Sequence, residues 1–182
     1  VDESGTDRVI PALLWLIERL ARRHEVHVFA LSQEPKPREW PLLGAQVHNV
    51  GTTSAHRRRF LKLFAREHRI APFGLVHAFF GGAGVHAVVA GKRFGLPVVT
   101  HLAGGELVNM PDARYGAQRR LIDRLRVLAA TTFSDRITVA TPYMQQLAAT
   151  FGVRTERVPL GVALDRWPVR EPRGRDESRP AR

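Results

Sequence analysis

The chain has 182 residues, 44% of them apolar, which is enough for one domain with a sizeable core. It holds no cysteine, so disulfides, a thiol nucleophile and thiolate-ligated zinc are excluded. A formal net charge of +11 favours anionic partners: nucleic acid, anionic lipid headgroups or phosphorylated small molecules. No apolar run reaches the roughly 18 residues of a membrane span, and the acidic opening VDESGTDRV lacks the basic region of a signal peptide.

In chain order, Thr6 to Arg23 predicts an amphipathic helix, with Val9, Ile10, Leu13, Leu14, Leu16, Ile17 and Leu20 on one broad face. Ser4 or Thr6 is the expected cap, and Pro11 is tolerated near the first turn. Glu25 to Leu31 reads as a strand. The three prolines between Ser32 and Gly44 predict a loop. Ala45 to Val50 reads as a second strand and Ser54 to His68 as a basic helix. Gly74 to Phe80 is a strand that runs straight into GGAG, and Val85 to Phe94 is a helix. Leu96 to Leu102 is a strand, followed by a loop holding Gly104, Gly105 and Pro111. Tyr115 to Ala130 reads as a long Arg-rich helix. Asp135 to Thr141 is a strand, Pro142 to Phe151 a helix, and Glu156 to Val162 a last short strand.

Strands separated by helices predict an α/β, Rossmann-like, doubly wound and mostly parallel sheet. The expected domain is 1–166. Residues 167–182 carry almost no apolar side chain and read as a disordered tail or the start of a linker. A doubly wound sheet normally begins with its central strand. Here a loop and a helix come first, so that central strand is expected to be missing, unless the domain simply begins with a helix.

Several segments are candidate sites. Ser4-Gly5-Thr6 stands where a small turn before a helix would present N–H groups to a phosphate; the alternative is an ordinary cap. Gly82-Ala83-Gly84-Val85-His86-Ala87 fits the dinucleotide pattern between a strand and a helix. Its expected ribose-binding acid is out of place, since Glu106 lies in a later loop; otherwise these glycines let the helix pack closely. Leu102-Ala103-Gly104-Gly105-Glu106 follows a buried strand, where ligand crevices form. Glu106 and Asp112 are candidates to accept sugar hydroxyl bonds, and His101 is a weak candidate base with a structural alternative. His24 and His27 point to opposite strand faces and make poor co-ligands. There is no HExxH or GxSxG, so neither a zinc protease nor a serine hydrolase is supported. Arg57, Arg58, Arg59 and Lys62 make the basic helix either a contact for an anionic membrane or the solvated face of a covering helix. The same choice applies to Arg119, Arg120, Arg124 and Arg126. Neither cluster has an aromatic stacking platform, so nucleic acid is not the expected partner.

Taken together, three stretches resemble the N-terminal domain of retaining GT-B glycosyltransferases of the family 4 type. These are ESGTDRVIPALLWLIERLARRHEVHVFAL, LVHAFFGGAGVHAVVAGKRFGLPVVTHLAGGEL, and RITVATPYMQQLAATFGV followed by RVPLGVALDRW. The resemblance implies an acceptor-side half facing a second domain that holds most nucleotide-sugar contacts, including two glutamates seven residues apart that this chain lacks. It implies sugar transfer from a nucleotide-sugar co-substrate to a hydroxyl acceptor, with no further cofactor and no metal, and a fragment inactive alone. Ser4, Gly5, Gly104, Gly105 and Glu106 would then bind substrate. The chain departs from the family at Ala103, where a histidine is frequent, and at Pro159-Leu160-Gly161-Val162-Ala163, with Asp165 late. The expected location is the cytoplasm, with Arg57, Arg58, Arg59 and Lys62 as the point of contact with the inner membrane face. The alternatives are a self-standing basic module for anionic ligands and a nicotinamide-binding domain.

Overall fold

The computed structural model describes residues 3–7, 9–52 and 55–164. The tail expected over 167–182 and the late Asp165 lie outside these residues. Among the described residues there are seven strands, β1 (His27–Ala30), β2 (Arg38–Leu42), β3 (Ala45–Asn49), β4 (Val76–Phe79), β5 (Val98–Leu102), β6 (Arg136–Val139) and β7 (Glu156–Arg157), and five α-helices, α1 (Pro11–Ala21), α2 (His56–Ile70), α3 (Gly81–Phe94), α4 (Leu121–Phe133) and α5 (Pro142–Thr150); from α2 onward helix and strand alternate. None of the described helices is long and apolar enough to cross a membrane.

The strands divide into two sheets. One has the order β1-β3-β2, with β1 parallel and β2 antiparallel to β3. The other runs β4-β5-β6-β7 and is wholly parallel. The α/β, mostly parallel character is therefore as expected, but the strand order breaks between β1 and β4. Burial follows the break. β3, β5 and β6 are largely buried, as strands of a covered sheet should be, while β1 and β4 are mostly half-exposed. A shared apolar cluster still ties the two sheets together. Val50, Phe60, Phe64 and Ala90 form its centre, joined by Phe29 of β1 and Val76 of β4.

Several elements differ from the sequence expectation: α4 starts at Leu121 and not Tyr115, which pairs with Met110 instead, and β7 covers only Glu156–Arg157. The first helix starts at Pro11, not Thr6, because proline lacks the N–H that a helix interior needs and fits the first turn. Its N-cap is Ile10, with no side-chain bond. Ser4 and Thr6 do not cap it; their hydroxyls bond each other at 2.6 Å. The expected loop over 32–44 contains β2, despite its prolines. β2 is an edge strand, where Pro41 opposite Gln46 is tolerated. The GGAG run is the first turn of α3 and not a connection before it. By contrast α5 begins as its sequence suggests, with Pro142 in the first turn and the Thr141 hydroxyl accepting from Met144 N at 3.2 Å.

Candidate functional site

β4 and β5 run parallel, and their carboxyl ends open on the same side. After β4 the chain turns at Phe80, whose φ of 73° is unusual for a residue with a side chain. The Phe80 N–H donates to the carbonyl of His101 at 3.0 Å, so the turn is locked to β5. α3 starts at the next residue. A Cβ at Gly84 would stand 2.7 Å from Cβ of Ala130 and 3.1 Å from Cγ2 of Thr100, so this glycine lets α3 lie close to α4 and β5. Gly82 has open space around it and faces outward.

After β5 the chain enters the Ala103–Gly105 loop. Glu106 shapes it: 6% exposed, its carboxylate accepts from Ala103 N at 3.3 Å and Gly104 N at 2.9 Å. Its own carbonyl accepts from Gln118 Nε2 at 2.7 Å. A short hairpin closes over this loop through paired bonds between Met110 and Tyr115. The Tyr115 hydroxyl lies 2.8 Å from where a Cβ of Gly105 would be, so only glycine fits there unchanged. At Gly116, with φ of 105°, a Cβ would overlap the Val108 carbonyl.

Between these parts lies a cleft of about 490 Å³, lined by Phe80, Gly81, Gly82, Gly104, Gly105, Glu106, Tyr115 and four arginines. Arg126 is committed to Asp123 at 2.9 Å. Arg114, Arg119 and Arg120 are exposed and make no ion pair among the described residues. The first N–H groups of α3 point out of its amino end, where no side chain caps them. The helix dipole therefore adds to the arginine charge. The cleft is thus cationic, with the exposed Tyr115 and the Glu106-held loop at its edge.

Of the residues singled out by sequence, Gly104, Gly105 and Glu106 come together here. Ser4 and Gly5 do not line the cleft; a Cβ at Gly5 would meet Leu42 of β2 at 3.2 Å. His101 is 2% exposed within β5 and is not a lining residue. Its Nδ1 is 2.9 Å from the Thr138 hydroxyl, its Nε2 has no partner, and its ring packs on Phe79. Burial pushes the His101 pKa down, against the pull of the Glu106 charge, and so holds the ring neutral. Asp112 is exposed and outside the lining. On α2, Arg57, Arg58 and Lys62 are exposed, but Arg59 is half-buried and donates to the Val50 carbonyl at 2.9 Å. Sequence reasoning missed Arg114 and Tyr115. Their signal was the Met110–Tyr115 hairpin, which no local periodicity announces.

A family model described as a glycosyl transferase 4-like domain matches residues 9–161. The chain belongs to this family. The matched span runs from just before α1 to just after β7 and takes in every residue of the cleft, while Ser4 and Gly5 precede it. Among curated proteins no sequence matches the chain.

Proposed function

We propose that this glycosyltransferase-family domain is the acceptor-side half of a retaining enzyme that moves a sugar from a nucleotide-sugar donor to a hydroxyl acceptor, and that it does not turn over alone. The observation that carries the reading is the cationic cleft at the carboxyl ends of β4 and β5, where open parallel sheets bind ligands. Arg114, Arg119 and Arg120 suit an acceptor or donor that bears phosphate, which a neutral sugar would not need. The Tyr115 hydroxyl stands at the cleft edge to orient a hydroxyl group, while Glu106 holds the loop behind it. The nicotinamide alternative is weaker, because the carboxylate of Glu106, the acid nearest that glycine pattern, is already occupied by two backbone N–H groups.

The test has two arms. The purified chain is incubated with uridine- and guanosine-diphosphate sugars and a panel of phosphorylated and neutral hydroxyl acceptors; no glycoside should form. Binding of a hexose phosphate and of its unphosphorylated hexose is then measured by calorimetry. The phosphate form should bind more tightly, and Arg119→Ala with Arg120→Ala should weaken it about tenfold or more. Turnover by the chain alone would overturn the half-enzyme reading. Equal binding of the two hexoses, unaffected by the arginines, would overturn the role given to the cleft.

A further inference from the structure

The three-stranded sheet carries a second cluster of chemistry that shares no residue with the cleft. His27 projects from β1, His48 from the neighbouring β3, and Glu67 from α2 above them. We propose that His27, His48 and Glu67 form a binding site for one divalent transition-metal ion of the zinc class, clipping α2 to the β1–β3 pair.

The inner atoms converge. Nδ1 of His27 lies 2.9 Å from Nε2 of His48, and Oε2 of Glu67 lies 3.9 Å from the same Nδ1. All three ligand atoms fall within 4.8 Å of one another. Two nitrogens bound to one ion at about 2.05 Å stand about 2.9 Å apart at a right angle and about 3.3 Å apart at a tetrahedral one. The histidine pair has the right-angle spacing, with the two rings set almost end to end, so small rotations of both rings and of Glu67 bring the three ligand atoms onto one ion.

The outer atoms decide the protonation. Nε2 of His27 bonds to Oε1 of Glu25 at 3.1 Å. Nδ1 of His48 has no well-formed hydrogen bond, and the polar atom facing it is Oε1 of Glu39 at 3.4 Å. An ionised carboxylate only accepts, so Nε2 of His27 carries that ring's proton and its Nδ1 presents a lone pair, to which Nε2–H of His48 donates at 2.9 Å. An ion entering between the rings would displace that proton to Nδ1 of His48, towards Oε1 of Glu39. A ring whose far N–H is held by a carboxylate is also how metal-ligating histidines are oriented. Glu67 fits the pattern, since its other oxygen is held by Nε of Arg66 at 2.5 Å.

The surroundings suit an ion more than a solvated proton. The side chains of His48, His27 and Glu67 are 1%, 9% and 11% exposed. Phe29 stacks on His48 and Phe73 meets the edge of His27, giving a low-polarity wall. Three carboxylates, Glu25, Glu39 and Glu67, face the two rings, against the single guanidinium of Arg66. Imidazole nitrogen with one carboxylate selects zinc, cobalt or nickel over magnesium or calcium, which prefer all-oxygen sites.

The test strips the full chain with chelator and titrates it with zinc by calorimetry and with cobalt by visible absorption. One ion per chain should bind with a dissociation constant in the micromolar range or below. His27→Gln and Glu67→Gln should each weaken it at least about tenfold, while His24→Gln on the exposed loop should not. Zinc should raise the melting temperature of the parent chain and not of the two ligand variants. Circular dichroism at low temperature shows that each variant is folded. Absence of saturable one-to-one binding to the parent chain overturns the proposal and leaves a proton shared by the two rings. Zinc affinity unchanged in both ligand variants overturns it equally, by placing the ion elsewhere.

Discussion

Glu106→Gln separates two roles for the residue that edges the cleft. In the structure the carboxylate accepts from two backbone N–H groups, at 2.9 Å from Gly104 and 3.3 Å from Ala103, in a site 6% exposed. A glutamine keeps one of these with its oxygen. Its amide nitrogen then faces the other N–H, so a buried donor is left unpaired. Losing one hydrogen bond to a charged acceptor costs about 1.5–3 kcal/mol, and relaxation of the loop offsets part of this. A net loss of about 2 kcal/mol in a domain of this size lowers the melting temperature by roughly 4–8 °C. Amide hydrogen exchange at Ala103 and Gly104 should quicken in step. Scanning calorimetry and exchange, read together, check this. A melting point unchanged within about 1 °C, with unchanged exchange, would refute the loop-holding role. Glu106 would then be free to act on substrate instead.

Further outcomes follow from the same geometry. Gly84→Val should destabilise by about 1–3 kcal/mol through overpacking on Ala130 and Thr100, while Gly82→Ala, with nothing within 4 Å, should be neutral or stabilising by up to about 1 kcal/mol; paired denaturant titrations compare them. Burial depresses the pKa of His77, His86 and His101, so their folded values lie below the unfolded one near 6.5. The stability they contribute is complete above that pH and is lost as pH falls through the folded values, so the denaturation midpoint should drop as pH falls below about 6.5, and less steeply in His101→Gln. Replacing Arg57, Arg58 and Lys62 by glutamate should abolish any salt-sensitive binding to phosphatidylserine vesicles at little cost to stability. Arg59→Ala should instead cost about 1–2 kcal/mol, because its guanidinium holds the Val50 carbonyl; vesicle sedimentation and thermal melts distinguish the two.

The elements that sequence located well are those whose burial is continuous. The Leu96–Leu102 run marks β5 because both faces of that strand are covered, and Thr141-Pro142 marks the start of α5 because cap and proline act within one turn. β2 was hidden because proline content reads as loop, and only its position at a sheet edge makes Pro41 acceptable. That position depends on pairing with β3, which no local window contains. The start of α3 was hidden for a related reason. Glycine is a poor helix former, and GGAG is helical here because Gly84 must let α3 approach α4 and β5.

The sites divide along the same line. Gly104, Gly105 and Glu106 were legible because one strand end and its loop carry all three. Arg114 and Tyr115 reach that loop only through a hairpin, so they belong to it in space and not in spacing. The histidines make the sharper case. His24 and His27 are near neighbours in sequence, yet His24 lies on the exposed connection after α1 and only His27 belongs to β1. His27 instead meets His48, because parallel pairing sets His27 opposite Gln46 and Phe29 opposite His48. Rings two positions out of register then meet edge to edge, with their planes 7° apart and their facing nitrogens 2.9 Å apart. Glu67 joins from α2, the helix that also brings Phe60 and Phe64 onto Phe29. Apolar packing thus sets where α2 lies, and its position delivers a carboxylate to two imidazoles. A shift of one residue in the β1–β3 register would turn His48 to the other face and dissolve the cluster while leaving the composition of both strands unchanged.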